Sequence, residues 1–230
     1  MQFVFLFCLF AAGLGLIIHN NGGWTWILLW PILSCLLIAA AYTLASPRLF
    51  GKRPTGQLSW PTAIAFLPYI LVNWILWNTV RRVHRLVSSA PCASQITPTL
   101  WVSRRLTPAE LPPGVVCVVD MTCEFPATRG LVAKVPHYFC LPTLDYGYPS
   151  TEAALALIAQ LRTIDGPRLI HCAQGHGRSA LFAAAYLIAT GAAQDPDGAL
   201  RLLKLKRPNI TLNPSQRIAL NGLTDKLRAT

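Results

Sequence analysis

The chain has 230 residues, 53% of them hydrophobic and only 13% charged, where soluble domains carry about one-quarter charged residues. That deficit and a mean hydropathy of +0.43 exclude intrinsic disorder and argue against a wholly soluble globule. The net charge of +11 is uneven, since the first 109 residues carry +8 and no acid while the rest holds twelve basic against nine acidic residues; a basic half that is also the more hydrophobic points to an anionic bilayer rather than to nucleic acid.

No charged side chain precedes Arg48. Phe3–Ile18 and Trp24–Ala45 are near-continuous apolar runs separated by the polar turn His19-Asn20-Asn21-Gly22-Gly23. About 20 apolar residues span a bilayer, so the second run is long enough and the first is marginal. A secretory signal peptide is the competing reading, but there is no basic leader, no small-x-small cleavage site, and a second apolar run follows at once. Residues 1–46 are therefore predicted to form a two-helix transmembrane hairpin. A third run, Pro61–Val80, contains Pro68, Asn73 and Asn78 and ends in Arg81-Arg82-Val83-His84-Arg85. Asn78, Arg82 and Arg85 share one helical face, opposite Ile75, Leu76, Val80 and Val83. Basic clusters flank this run on both sides (Arg48, Lys52 and Arg53 before it), so a spanning helix would export one of them. An interfacial helix with Trp60, Trp74 and Trp77 at headgroup level exports neither. Residues 47–90 thus read as a basic loop and a third hydrophobic helix, interfacial in preference to transmembrane. Everything after residue 46 then lies in the cytoplasm, an arrangement that suits a bacterial inner membrane.

Residues 91–230 read as a compact α/β domain. Leu100–Val102 is a short predicted strand, Val115–Met121 a buried β-branched strand, and His137–Leu141 another. A helix starts at Pro149-Ser150-Thr151-Glu152, with Ala153, Leu157, Ile158 and Leu161 as its apolar stripe. Arg168–His171 is a strand, Ser179–Thr190 an alanine-rich helix closed by Gly191, and Pro196–Lys206 and Pro214–Arg228 two further helices. Asn213 caps the last, with Pro214 at its first position. Strands alternating with helices predict a mostly parallel central sheet flanked by helices. The seven cysteines (Cys8, Cys35, Cys92, Cys117, Cys123, Cys140 and Cys172) include no CxxC pair and no zinc spacing, which fits a reducing compartment better than a disulfide framework.

The informative segment is Leu169-Ile170-His171-Cys172-Ala173-Gln174-Gly175-His176-Gly177-Arg178-Ser179. It sets a cysteine at a strand end, then a glycine-bearing loop, then an arginine at a helix start. Backbone amides of such a loop and of the helix N-terminus converge on a concavity suited to a tetrahedral oxyanion. Gly175 and Gly177 permit positive φ and close backbone approach, and Arg178 offers a planar fork to two phosphate oxygens. The same field stabilises a thiolate at Cys172, and the Ser179 hydroxyl can bond that sulfur. A second Cys-x5-Arg, from Cys123 to Arg129, lacks glycine, carries Glu124 where a phosphate would be repelled, and has Pro126 where an N–H is needed. It reads as a decoy.

His171–Ser179 has the HCxxGxGRS pattern and resembles the signature of the cysteine-dependent protein tyrosine phosphatase superfamily. The chain around it, over roughly residues 95–225, resembles the dual-specificity branch. Thr99-Leu100-Trp101-Val102 is similar to that branch's first strand, and Val118-Val119-Asp120-Met121-Thr122 to an early core strand. Leu141-Pro142-Thr143-Leu144-Asp145 is similar to the segment bearing the general acid, and Lys206-Arg207-Pro208-Asn209-Ile210 with the helix from Pro214 to the closing region. The resemblance implies a dual-specificity-phosphatase-like fold and a two-step hydrolysis. In it Cys172 is the nucleophile, Arg178 and the amides of Ala173, Gln174, Gly175, His176 and Gly177 bind phosphate, and Asp145 is the acid and then the base. His171 and Ser179 support the loop. It implies no metal and no cofactor, because the loop itself stabilises the charge. Asp145 precedes Tyr146-Gly147-Tyr148-Pro149, a loop of the kind that closes over substrate. Its rival Asp120 lies within a core strand, and Asp165 in a turn. Only 26 residues separate Asp145 from Cys172, a short interval for the branch. Gln216 lies where some members place a water-positioning glutamine.

The expected partners are a phosphorylated substrate and the membrane, with no nucleic acid. A phosphoprotein is the first expectation for the substrate. An anionic phospholipid, of phosphatidylglycerophosphate or phosphoinositide type, is the alternative, because His176 occupies a position that is basic in several lipid-directed members. A non-enzymatic tethered phosphate-binding protein would be expected to lose Cys172, Arg178 or Asp145, and all three are present.

Overall fold

The structure is a computed structural model that describes residues 2–87 and 91–229. The boundary expected at residues 90/91 falls beside residues 88–90, which lie outside the described residues, as does the side chain of Arg85. The chain divides into two compact units. One comprises residues 2–53, 57–87 and Cys123–Pro126; the other comprises Pro54–Gly56, residues 91–122 and residues 127–229.

In the first unit, helix α1 (Gln2–Asn21) and helix α2 (Leu29–Thr43) are joined by a 3-10 turn, Gly23–Leu28. They run antiparallel, with Phe3 stacked on Tyr42 at 4.8 Å between ring centroids. Both segments, Gln2–Asn21 and Gly23–Thr43, are long and apolar enough to cross a membrane. The third run departs from a single helix. It forms α3 (Trp60–Ala65) and α4 (Leu67–Val87), interrupted at Phe66, because Pro68 has no N–H and its ring crowds the carbonyl four residues back. The indole N–H of Trp30 donates to the Ile64 carbonyl at 2.9 Å, fastening this segment to α2, and Phe50, in the 3-10 turn Pro47–Phe50, stacks on Phe66. Leu71, Val72, Trp74, Ile75, Leu76, Val80 and Val83 stand exposed along α4. Of the three tryptophans expected at headgroup level, Trp60 and Trp74 are exposed and Trp77 is buried. The guanidinium of Arg81 lies over its ring, 4.9 Å from the centroid.

In the second unit five strands make one sheet: β1 (Ala93–Thr97), β2 (Leu100–Ser103), β3 (Cys117–Thr122), β4 (His137–Thr143) and β5 (Arg168–His171), in the order β1-β2-β5-β3-β4. Only β1 and β2 pair antiparallel; every other pairing is parallel. The sheet is therefore mixed but mostly parallel and flanked by helices, as the alternation of strands and helices predicts. Strand β1 has no counterpart in the sequence reading, because Ala93-Ser94-Gln95-Ile96-Thr97 is too polar to signal a strand. Helices α5 (Thr151–Arg162), α6 (Arg178–Ala189), α7 (Pro196–Lys206) and α8 (Pro214–Arg228) complete the unit. Their starts obey local chemistry. The Ser150 hydroxyl accepts from the Ala153 amide, the Asp195 carboxylate from the Gly198 amide, and Asn213 and Gln216 form a reciprocal capping box.

Side chains alternate across the strands. Val102, Val119 and Ile170 face the main core with α5–α8, whereas Val118 and Leu169 face a smaller core with Leu106, Val115, Leu131 and Val135. Helix α6 is buried from Arg178 to Leu187; its alanines let β5 and the surrounding helices close on it. Strand β5 is central, and the chain leaves its C-terminal end at Cys172 directly into α6. A parallel sheet leaves its ligand crevice at that end.

Candidate active site

The loop between β5 and α6 curls around the Cys172 sulfur. The Gly175 amide donates to Sγ at 3.2 Å, and the Ser179 hydroxyl lies 3.4 Å from it. Gly175 holds the positive φ, +75°, but Gly177 does not: its φ is −107°. The use of Gly177 is close approach, since a Cβ there would stand 3.3 Å from the Gln216 amide atoms.

Each carbonyl of the loop is turned away from the sulfur and held by a donor outside the loop. Ala173 O accepts from the Arg105 amide at 3.1 Å and His176 O from the Thr211 amide at 3.2 Å. Gln174 O accepts from Arg207 Nη2 at 3.1 Å and Gly175 O from Arg207 Nε at 2.8 Å. In a planar trans peptide the N–H points opposite to the C=O. Four outward carbonyls therefore leave the amides of Gln174, Gly175, His176 and Gly177 on the inner side, an anion cradle made of backbone.

Arg178 opens α6 and is only 2% exposed. Its Nη1 donates to the Thr143 carbonyl at 2.9 Å, and its Nη2 lies 3.1 Å from the Asp145 carboxylate. The end of β4 thus brings the predicted acid and the predicted phosphate fork together. Asp145 is half-exposed on its outer side. The following loop, read from sequence as one that can close over substrate, is held at two of its carbonyls. Asn213 Nδ2 donates to Tyr146 O at 2.7 Å and Gln216 Nε2 to Gly147 O at 2.9 Å. Tyr146 takes φ +59°, a left-handed conformation that costs a non-glycine residue free energy. Gln216 is buried at 2% exposure and spans from this loop to the glycine loop. Asp145, Tyr146, Cys172, Gln174, His176 and Arg178, with Asn209, Thr211, Asn213 and Gln216, line one cavity of about 360 Å³.

Asp120 has a different employment. It is buried, accepts from the Thr122 amide and hydroxyl and from the Tyr138 hydroxyl (2.8, 2.7 and 2.7 Å), and lies 3.8 Å from His171 Nε2. Burial first, and the Asp120 charge second, push the Tyr138 phenol well above its ordinary value, so it remains a donor. On its other side His171 Nδ1 lies 3.3 Å from the Cys172 carbonyl. Asp120 supports the loop from behind and does not line the cavity. In the Cys123 segment the Glu124 carboxylate accepts from the Cys123 amide at 3.0 Å and sits 3.5 Å from its sulfur, an acid where a phosphate would have to lie.

Sequence reasoning gave no role at this site to Arg207, Arg105, Thr211 or Asn209. Nothing local marks them, since they are brought to the loop and the cavity from other elements.

Residues 117–226 match the family model described as the dual specificity phosphatase catalytic domain. That part of the chain is a dual-specificity-phosphatase-like catalytic domain of the cysteine-dependent protein tyrosine phosphatase superfamily. Similar solved structures include PTPMT1 (TM-score 0.51, 22% identity, covering 60% of this chain and 96% of that one). PTPMT1 in complex with PI(5)P is also similar (TM-score 0.53, 22% identity, 60% and 97% covered). So is Tk-PTP in its active form (TM-score 0.53, 25% identity, 59% and 98% covered). No curated protein matches the sequence.

Proposed function

We propose that this chain is a membrane-anchored phosphomonoesterase that works through a cysteinyl-phosphate intermediate on tyrosine- or serine/threonine-phosphorylated proteins. The observation that carries the reading is the convergence of Cys172, Arg178 and Asp145 on one cavity beneath four inward amides. Substrate phosphate enters the cradle with its equatorial oxygens on the amides and the Arg178 fork. The Cys172 thiolate attacks phosphorus, the ester P–O bond breaks, and Asp145 gives its proton to the leaving oxygen. Water then attacks the cysteinyl phosphate, Asp145 takes its proton, the S–P bond breaks, and inorganic phosphate leaves. The Ser179 hydroxyl, 3.4 Å from Sγ, donates to the departing sulfur. Gln216 lies on the wall beside Gly177, where its amide can orient the water.

The exposed ring of Tyr146 on the cavity rim supports an aryl phosphate. A second reading, an anionic phospholipid, is supported by the two membrane-length helices, by His176 and the amide-rich rim of Asn209 and Asn213, and by the PI(5)P bound to the similar PTPMT1. The anchor is assigned to a bacterial inner membrane with the catalytic domain in the cytoplasm. The supporting observation is that no charge precedes Arg48 while Arg48, Lys52 and Arg53 follow the second apolar helix.

The test is a substrate panel on the purified full chain in detergent and in anionic vesicles: phosphotyrosine and phosphoserine peptides against phosphatidylglycerophosphate and inositol phospholipids. The protein reading expects peptides to give the higher kcat/KM, with no effect of replacing Arg81, Arg82 and Arg85 by Gln. The lipid reading expects the reverse. Each arginine near an anionic surface contributes about 1 kcal/mol, so the triple variant would lose vesicle activity and high salt would reproduce the loss.

A further inference from the structure

We infer that Arg207 is a positioning residue for phosphate binding, setting the direction of two of the four loop amides by holding the carbonyls that share their peptide planes. The inference rests on the phosphatase reading of the loop but makes no use of which ester is cleaved.

Arg207 follows α7 and is buried, 8% exposed. Its guanidinium reaches across 32 and 33 residues to Gly175 O and Gln174 O. Its remaining Nη1 faces Ser94 Oγ on β1 at 3.5 Å and Pro91 O, two residues before the strand, at 3.4 Å. The fork is thus braced from behind and aimed at the loop. A buried guanidinium without partners would be costly, and here its partners are two successive carbonyls that would otherwise be free to turn.

The geometry decides what each bond does. Gln174 O and the Gly175 N–H belong to one peptide plane, and that N–H is the one that donates to Cys172 Sγ. Gly175 O and the His176 N–H belong to the next. If either plane flipped, a carbonyl dipole would face the thiolate and the incoming phosphate, replacing attraction by repulsion. The other two planes are held by main-chain amides, Arg105 N and Thr211 N, which only a proline substitution would remove. Arg207 is therefore a point at which a side chain sets the loop. Its charge also bears on the sulfur. Burial draws the Arg207 pKa down, and Cys172 leads the influences that draw it back up.

Lysine is the discriminating replacement. It keeps a cation in the slot but has no rigid fork with which to hold two carbonyls on separate planes. Arg207→Lys in the full chain should keep its melting temperature within a few degrees. Its kcat on a small aryl phosphate should fall by about 10²-fold, the scale of losing one preorganised oxyanion donor. Inorganic phosphate should inhibit it roughly tenfold more weakly, and iodoacetate should alkylate Cys172 more slowly at neutral pH. Arg207→Ala supplies the second variant: added guanidinium should restore phosphate affinity and turnover, and methylammonium should not. A folded Arg207→Lys with wild-type phosphate inhibition and alkylation overturns the proposal. So does a folded Arg207→Ala that guanidinium fails to rescue, and so does failure of both variants to fold, which would make Arg207 a folding residue. Phosphate binding and alkylation need no turnover, so failure of the phosphatase reading looks different. In that case the wild type binds phosphate and hydrolyses no ester while the variants still lose phosphate.

Discussion

Replacing Gly175 by alanine should remove most of the turnover, and the size of the loss follows from where the new methyl group would go. Gly175 sits at φ +75°, and its Cβ would stand 2.5 Å from the carbonyl carbon and oxygen of Ser103 and 2.6 Å from the amide nitrogen of Arg104. These are backbone atoms at the end of β2, held in register against β5, so they cannot step aside. Ordinary contact begins at 3.4 Å, and the loop must retreat by about 0.9 Å. The Gly175 amide starts 3.2 Å from Sγ, so a retreat of that size carries it out of hydrogen-bond reach. A misplacement of about 1 Å at a reacting centre costs roughly 10²-fold in rate, and the left-handed backbone adds about 1–2 kcal/mol of strain. Gly175→Ala should therefore lose about 10²-fold or more in kcat/KM on a small aryl phosphate, with a melting temperature lower by several degrees. Gly191 is the control: its φ is +72° and a Cβ there meets nothing within 4 Å. Gly191→Ala should show the strain as lost melting temperature and keep its rate. If both variants melt early and neither loses rate, close approach to Ser103 is not what the loop requires of glycine.

Three further expectations concern other groups. Cys172→Ser should abolish turnover while retaining phosphate binding, and Cys123→Ser should be nearly silent; in the wild type iodoacetate should label Cys172 first and leave Cys117 unlabelled, because burial pushes that thiol up to about 12 against the pull of Arg168. Asp145→Asn should lower kcat on alkyl phosphates by roughly 10²–10⁴-fold and matter much less for p-nitrophenyl phosphate, whose leaving group needs little protonation; equal losses on both would remove Asp145 from the role. Burial works against the Glu110 charge, but the Thr107 amide and the Arg104 guanidinium outweigh it and hold that carboxyl below its usual range. The stability it contributes is complete above its unfolded value and is lost as pH falls through the folded one, so melting curves of Glu110→Gln and wild type should differ at neutral pH and converge in acid.

The parts of this protein that the sequence determined by itself are those built from neighbours in the chain. Arg168–His171, Pro196–Lys206 and Pro214–Arg228 stand where the sequence predicts them, because a β-branched or apolar stretch and a capping side chain act over a few residues. The strand, glycine loop and helix that hold Cys172 and Arg178 are contiguous, so the site's centre was legible, and the acidic Glu124 already marked the segment from Cys123 to Arg129 as the wrong loop. The two apolar helices followed from composition alone. Tertiary structure decided what depends on groups far apart in sequence. Strand β1 exists because β2 offers it an edge, and its own residues carry no pattern. Trp77 was predicted at the membrane surface and is buried, since helix periodicity does not say which neighbours a face will meet. The loop after Asp145 was read only as one that can close over substrate; that Asn213 and Gln216, at the start of the last helix, also hold Tyr146 O and Gly147 O came from the tertiary structure. Arg207 shows the limit most plainly. Residue type tells what a side chain can bond, but the direction in which a carbonyl 32 residues away points is set by the path of the whole chain between them.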